Sequence, residues 1–315
     1  MHHYLKATDI QLKPAYGEHS RGFRRAALVD GTVGSVHMGL GLCALQAGAH
    51  IDGHVHSFEE CFFVLEGQPT LVLDGRAYAL MPGACGVVPV SVAHAWFGPA
   101  AGTGTARWVD MLAPQPRAHG TGDDTFFLGP AVTDDVEALD IRDPRSRHLF
   151  RVDDKDIALE GLKTGARVDA PTVSASMSTA LLAYSGIAVK MLVDQRLDAQ
   201  LSTMFMVEYQ PGGVAHPHDH PIEEAYYILD GEIEAVADDK TYTLRPGDIF
   251  WTGVGCVHAF YNRTSRTVRW LETQSPQPPA RHSYRFSRDW EYLKQKLASA
   301  EVVARPRAVA GNTRG

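Results

Sequence analysis

The stretch 48–67, GAHIDGHVHSFEECFFVLEG, sets His50, His54 and His56 and then Glu59 and Glu60 between two glycines, Gly48 and Gly67. A polar loop has no reason to recur with its spacing intact, yet residues 212–231 read GGVAHPHDHPIEEAYYILDG. A shift of 164 residues lays His54, His56, Glu60 and Gly67 on His218, His220, Glu224 and Gly231. The same shift lays GFRRAALVD (22–30) on GIAVKMLVD (186–194), Gln46 and Gly48 on Gln210 and Gly212, and Tyr78 and Leu80 on Tyr242 and Leu244. It also lays Gly83 and His94 on Gly247 and His258, with no insertion or deletion from Gly22 to His94. Beyond that the shift falls to 162, and ARWVDMLAPQP (106–116) matches VRWLETQSPQP (268–278). A repeat of this kind means two copies of one structural unit.

Within each copy the apolar runs are short and alternating, as in CFFVLEG and PTLVLDGRAYAL, or AYYILDG and EIEAVADDKTYTL. Asp74-Gly75 separates two such runs and signals a tight hairpin, and Asp238-Asp239 stands at the same place in the second copy. Many short strands with regular turn signals imply an all-β sandwich or small barrel, here two in tandem. The copies span 22–117 and 186–279. The polar, turn-rich segments HGTGDDTF and IRDPRSRH lie between them, so the boundary is placed near residue 150, giving domains 1–150 and 151–315. A C-terminal helix is expected over 287–301, capped by Ser287, with a disordered tail after it.

The bulk properties exclude several classes of partner. The 315 residues are 44% apolar and 21% charged, with a net charge of −7, which gives no electrostatic reason to expect nucleic acid or an anionic membrane. The first twenty residues lack the apolar core of a secretory signal, and no window of about 18 apolar residues appears. Cys43, Cys61, Cys85 and Cys256 are isolated, which fits reduced thiols in a cytoplasmic protein.

Residues i and i+2 of a strand share a face, so His54 and His56 aim two imidazoles into one barrel. Glu60 and His94 can close the site from neighbouring strands, and His218, His220, Glu224 and His258 repeat the set. Three imidazoles and a carboxylate suit a divalent first-row metal, with coordination positions left over. Phe62 and Tyr226 share the parity of the glutamates, and Trp96 and Phe260 that of His94 and His258, so these four are candidate pocket residues as well as candidate core. Glu59 and Glu223 face the opposite way, toward a supporting position or solvent. His216 is read as a rim residue, and His37 and His50 as surface or core histidines. Arg107 and Arg269 are read as structural partners on a closing strand.

These two segments resemble the cupin superfamily. Its first motif runs Gly, HxH, Glu, Gly, as in 48–67 and 212–231. Its second runs from Gly to His and Asn, as in GDIFWTGVGCVHAFYN (247–262). The first copy reads GACGVVPVSVAHAWFG, with Ser91 and Gly98 in place of the usual glycine and asparagine, and Gly253 replaces a usual proline in the second. These departures touch turns and leave the ligands alone. The resemblance implies two tandem double-stranded β-helix, or jelly-roll, barrels. It also implies a divalent metal, Fe(II) or Mn(II) ahead of Ni(II), Cu(II) or Zn(II), and a small-molecule substrate. With both ligand sets intact, the quercetinase-like dioxygenases are the leading analogy, and Glu60 or Glu224 would then double as the catalytic base. Oxalate decarboxylase-like and ureidoglycine aminohydrolase-like bicupins supply a redox-neutral alternative, and a non-enzymatic small-molecule-binding bicupin a third. A homodimer is expected from exposed edge strands.

Overall fold

The structure is a computed structural model of the chain. It describes residues 1–117, 124–133, 135–153, 157, 185–277 and 285–286, together with 291, 294, 295 and 298. In chain order the strands are β1 (His2–Leu5), β2 (Lys13–Pro14), β3 (Ser20–Val29), β4 (Gly39–His56), β5 (Glu59–Glu66), β6 (Thr70–Leu73), β7 (Arg76–Ala79), β8 (Ala84–Val88), β9 (His94–Phe97), β10 (Ala106–Ala113), β11 (Thr125–Gly129), β12 (Glu137–Ala138) and β13 (Leu149–Arg151). The second half continues with β14 (Ile187–Val193), β15 (Thr203–Tyr209), β16 (Val214–Asp219), β17 (Glu223–Asp230), β18 (Ile233–Ala237), β19 (Lys240–Leu244), β20 (Ile249–Thr252), β21 (His258–Tyr261), β22 (Val268–Ser275) and β23 (Arg285–Phe286). The all-β expectation holds. Of the helix expected over 287–301, only 291, 294, 295 and 298 are described, and they are helical. Ser287 and the tail lie outside the described residues.

Each copy folds into a jelly roll of two curled sheets. In the second, β1-β20-β17-β22-β15-β14 faces β19-β18-β21-β16-β23. In the first, the long strand β4 runs through both layers and joins them into one twelve-stranded sheet. Its counterpart is broken into β15 and β16 where Pro211 replaces Ala47, since proline cannot donate to a ladder. Both hairpins expected from the sequence form. Asp74 and Gly75 have φ of 49° and 75°, and Asp238 and Asp239 of 46° and 61°, the left-handed pair that a two-residue turn requires.

Two features depart from the sequence reading. The segment after residue 117, inside domain 1–150 but outside the repeated core, contributes a strand: β11 adds to β4 with Thr125 opposite His56 and Phe127 opposite His54. The first strand also leaves its own half: β1 pairs with β20, His2 opposite Thr252, so residues 2–5 complete the second barrel.

Among the described residues, buried side chains form three clusters. One fills the first barrel around Phe62, Trp96 and Trp108, and another fills the second around Tyr226, Phe260 and Trp270. The third joins the barrels, with Leu40, Leu42, Cys61, Phe63 and Met111 of the first half against Ala188, Met204, Met206, Trp251 and Leu271 of the second. Strand β5 is thus buried on both faces. Glu60 and Phe62 point into the barrel, and Cys61 and Phe63 point into the junction.

Glu59 and Glu223 lie on the junction face, only 2% and 3% exposed, so the solvent option for them is corrected. Glu59 accepts hydrogen bonds from the backbone N–H of Gln200 (2.7 Å) and Leu201 (3.3 Å) and from the Ser202 hydroxyl. Glu223 accepts from the N–H of Val36 (2.9 Å) and His37 (3.2 Å) and from the Ser35 hydroxyl (2.6 Å). Each barrel thereby holds the turn that leads into the other barrel's sheet. Glu59→Ala leaves the buried Ser202 hydroxyl and two part-buried backbone donors without this acceptor and should cost about 2–4 kcal/mol of unfolding free energy. Denaturant unfolding checks this; wild-type stability in both Glu59→Ala and Glu223→Ala would deny the clasp.

Candidate metal centres and the groove beside the first

The local fold brings the eight expected ligands together as two clusters of four. Cross-strand register sets His54 opposite His94 on β4 and β9, and His218 opposite His258 on β16 and β21. Both ladders are irregular just before the histidine pair, between Ile51 and His54 and between Ala215 and His218. The ring nitrogens of His54, His56 and His94 lie within 4.8 Å of one another, as do those of His218, His220 and His258. Glu60 Oε2 is 3.1 Å from His56 Nε2 and 3.6 Å from His94 Nε2. Glu224 Oε2 is 3.2 Å from His220 Nε2 and 3.4 Å from His258 Nε2. All eight side chains are buried.

Backbone carbonyls orient the rings. His54 Nδ1 donates to Asp52 O (2.7 Å) and His94 Nδ1 to Val92 O (3.1 Å); His218 donates to His216 O (2.6 Å) and His258 to Cys256 O (2.9 Å). With Nδ1 engaged, the Nε2 lone pair faces the cluster, as a metal-ligating histidine requires. Burial, then the neighbouring imidazoles His94 and His56, holds His54 well below its ordinary range, and burial followed by His258 and His220 does the same for His218. Burial pushes the Glu60 carboxyl up, but the hydrogen bond from His56 and the nearby His94 ring more than offset this and keep it well below the usual carboxylate range. Neutral imidazoles beside an ionised carboxylate are the protonation states that metal binding needs. His94 Nε2 is moreover buried without a hydrogen-bond partner, the sort of orphaned acceptor that a cation satisfies. The donor set fits a divalent ion.

The two clusters differ in what surrounds them. In the second, the Tyr226 hydroxyl donates to Glu224 Oε2 (2.6 Å) and lies 3.0 Å from His258 Nε2, while Gln274 donates to Glu224 Oε1. Phe62 and Leu112 stand at those positions in the first copy and bring no polar atom. The cavity that reaches His218, lined by Tyr226, Phe260 and Glu272, is only about 30 Å³. Burial and the adjacent Glu224 push the Glu272 carboxyl well above its usual range.

A groove of about 590 Å³ lies beside the first cluster, separated from its four side chains by their neighbours. Three of its lining residues touch the cluster: Thr125 meets His56 Nδ1 through its hydroxyl (3.1 Å), Phe58 stacks on the His56 ring (4.1 Å), and the Tyr16 ring is 5.7 Å from that of His54. Arg25 also lines it, forked on Asp110 with two bonds of 2.6 Å. Gly41 makes room for this pair, since a Cβ there would collide with both the guanidinium and the carboxylate. In the second copy Phe205 stands for Gly41, Val189 for Arg25 and Glu272 for Asp110, and the space is filled.

The candidate pocket residues divide accordingly. Phe62 and Trp96 pack edge to face at 5.1 Å inside the first barrel and are not among the groove's lining residues, so there they are core. Tyr226 and Phe260 do line the small cavity of the second. His216 lies outside the second cluster, beside Tyr261. Arg269 pairs with Glu208 (2.7 Å) and Arg107 with Glu66 (3.9 Å). Sequence reasoning missed Tyr16, Arg25, Phe58, Gln115 and Thr125. The signal available was the contrast between copies: Gly41 against Phe205 and Arg25 against Val189.

Comparisons with known proteins agree with this architecture. The Cupin domain profile matches residues 41–112 and 205–273. Polyketide synthase CurC of Streptomyces cyaneus is 32% identical over 119 residues, 37% of this chain and 75% of that protein. Salicylate 1,2-dioxygenase from Pseudoaminobacter salicylatoxidans, solved with gentisate, superposes with a TM-score of 0.67 at 16% identity, over 87% of this chain and 81% of that chain. Oxalate decarboxylase from Lactobacillus farciminis, solved with formate, gives 0.60 at 14% identity, over 91% and 89%. The Bacillus subtilis oxalate decarboxylase, described with Mn(II) centres, gives 0.61 at 13% identity, over 95% and 84%. At these identities the structural likeness shows the fold alone.

His54→Ala should lower metal content by one ion per chain and His218→Ala by another, independently. Elemental analysis of untagged protein checks this, and full content in each variant would break the ligand assignment. Tyr226→Phe removes a hydroxyl that holds Glu224 and His258 and should tighten divalent metal binding at the second cluster about tenfold, one hydrogen bond's worth; calorimetric titration of His54→Ala protein with and without Tyr226→Phe, compared with the His54→Ala/His218→Ala variant as the blank, checks this.

Proposed function

The chain belongs to the cupin superfamily, with two cupin domains in tandem, and on that premise we propose a metal-dependent dioxygenase that acts on a small oxygenated or aromatic substrate at its first barrel. The observation that carries this reading is the groove of about 590 Å³ that passes Thr125, Phe58 and Tyr16, side chains beside His56 and His54, and that holds Arg25 and Gln115. The cavity at His218 is about 30 Å³, and the cavity of about 460 Å³ that reaches His258 is lined by no Phe, Tyr, Trp or Arg side chain. Small-molecule sites commonly span about 300–1,000 Å³, so the groove is large enough for substrate.

His54, His56, His94 and Glu60 would hold Fe(II) or Mn(II), which when bound supplies Lewis acidity and electrons for dioxygen. The remaining work belongs to the chain. Phe58 and Tyr16 give the groove aromatic walls, so an aromatic or conjugated ring can stack while water is kept out. Arg25 has five N–H donors, of which two are engaged by Asp110, and it faces the groove as a partner for substrate oxygen or carboxylate. Gln115 lines the same groove and has a buried, unpaired Oε1 that can accept from a substrate hydroxyl. Glu60, kept below the usual carboxylate range, would be the carboxylate that takes a proton from a substrate enol or phenol.

Oxygen uptake with a panel of enols, diphenols and hydroxybenzoates tests the proposal. We expect turnover that needs metal and oxygen, falls to background in His54→Ala and persists in His218→Ala. Turnover that survives strict anaerobiosis would replace the dioxygenase with a redox-neutral decarboxylase or hydrolase. Arg25→Met should lower kcat/KM for carboxylated substrates by roughly 10- to 100-fold, the loss of one charge-assisted hydrogen bond, at unchanged metal content. An unchanged kcat/KM would remove Arg25 from the site.

A further inference from the structure

Behind the second cluster, where Cys256 O accepts from His258 Nδ1, three side chains of different donor class converge where the first strand crosses to the second barrel. His2 lies on β1, Asp238 in the hairpin turn between β18 and β19, and Cys256 in the loop before β21. Their ligand atoms all lie within 4.8 Å of one another. His2 Nδ1 is 2.8 Å from Asp238 Oδ2, and the Cys256 sulfur is 4.0 Å from each Asp238 oxygen. We propose that His2, Asp238 and Cys256 form a third metal site, selective for Zn(II), that staples the crossing strand to the second barrel.

The geometry supports this in three ways. Tetrahedral zinc with Zn–S of about 2.3 Å and Zn–N or Zn–O of about 2.0–2.1 Å sets its ligand atoms about 3.3–3.6 Å apart. The separations of Asp238 from His2 and from Cys256, 2.8 and 4.0 Å, bracket that range, and the third pair lies within 4.8 Å. The imidazole is already oriented: His2 Nε2 lies 2.7 Å from the Tyr242 hydroxyl, which leaves Nδ1 for the cluster, the outer partner that metal-bound histidines use. And the site is reachable, because a cavity of about 460 Å³ is lined by Met1, Asp238, Asp239, Cys256 and Val257. Cys256 itself is 3% exposed, which anchors the softest ligand at the floor of an open site.

Chemistry separates this site from the other two. A thiolate, an imidazole and a carboxylate select zinc or its surrogate cobalt, whereas the histidine–glutamate clusters contain no sulfur. Binding at the third site releases the thiol proton and forms a metal–sulfur bond, with no change of oxidation state. The readout is therefore independent of the proposed dioxygenase activity.

The test is a Co(II) titration of the full, untagged chain, followed by the ultraviolet thiolate-to-cobalt charge-transfer band. We expect the band to saturate at one equivalent per chain, to vanish on adding Zn(II), to be lost in Cys256→Ser and weakened at least tenfold in His2→Ala, and to persist in the His54→Ala/His218→Ala double variant. Absence of the band from wild-type protein at saturating cobalt would overturn the proposal. So would an undiminished band in Cys256→Ser. The wild-type titration decides even where a variant folds poorly.

Discussion

The structure depends on the alternation of a strand that is buried on both faces. Along β5, adjacent residues point in opposite directions, and neither direction is solvent. Glu60 therefore enters a metal-type cluster while Glu59, one residue earlier, enters the junction with the other barrel and holds its turn at Gln200 and Leu201. The second copy does the same with Glu224 and Glu223. Two consecutive glutamates thus bind one strand to two unrelated tasks, and a one-residue slip would exchange them. Burying four carboxylates is tolerable only because each meets imidazole, hydroxyl or backbone N–H donors.

What was legible in the sequence follows from local geometry. The HxH spacing, the distant histidine and the hairpin turns obey the strand period and turn chemistry, and a repeat doubles each signal. The placement of Phe62 and Trp96 inside the barrel was legible by the same parity, but whether an interior position lines a cavity or fills the core depends on neighbours across the sheet. Partners more than a hundred residues away were not legible. Nothing near Glu59 announces Gln200, and nothing in MHHYLK announces β20. The stretch HGTGDDTF has a loop's composition, yet its final residues open a strand that supports His56 through Thr125.

The contrast between copies carries as much information as their likeness. Gly41, Arg25 and Asp110 make a polar wall in the first barrel; Phe205, Val189 and Glu272 close the same space in the second. Phe62 leaves the first glutamate open where Tyr226 covers the second. Each exchange alters volume or polarity beside the histidine–glutamate clusters while the cluster residues themselves stay. The fold thus keeps two similar clusters and gives them different surroundings.

The reciprocal contacts of Glu59 and Glu223 have the form of an isologous interface, the kind that two identical subunits make across a two-fold axis. Here both sides belong to one polypeptide. In a dimer of identical barrels every substitution is imposed on both sites at once, so an opening beside one metal is an opening beside the other. Covalent fusion removes that obligation. One half can then spend its interior on stability while the other admits a ligand, and the shared face keeps the pair aligned as they diverge.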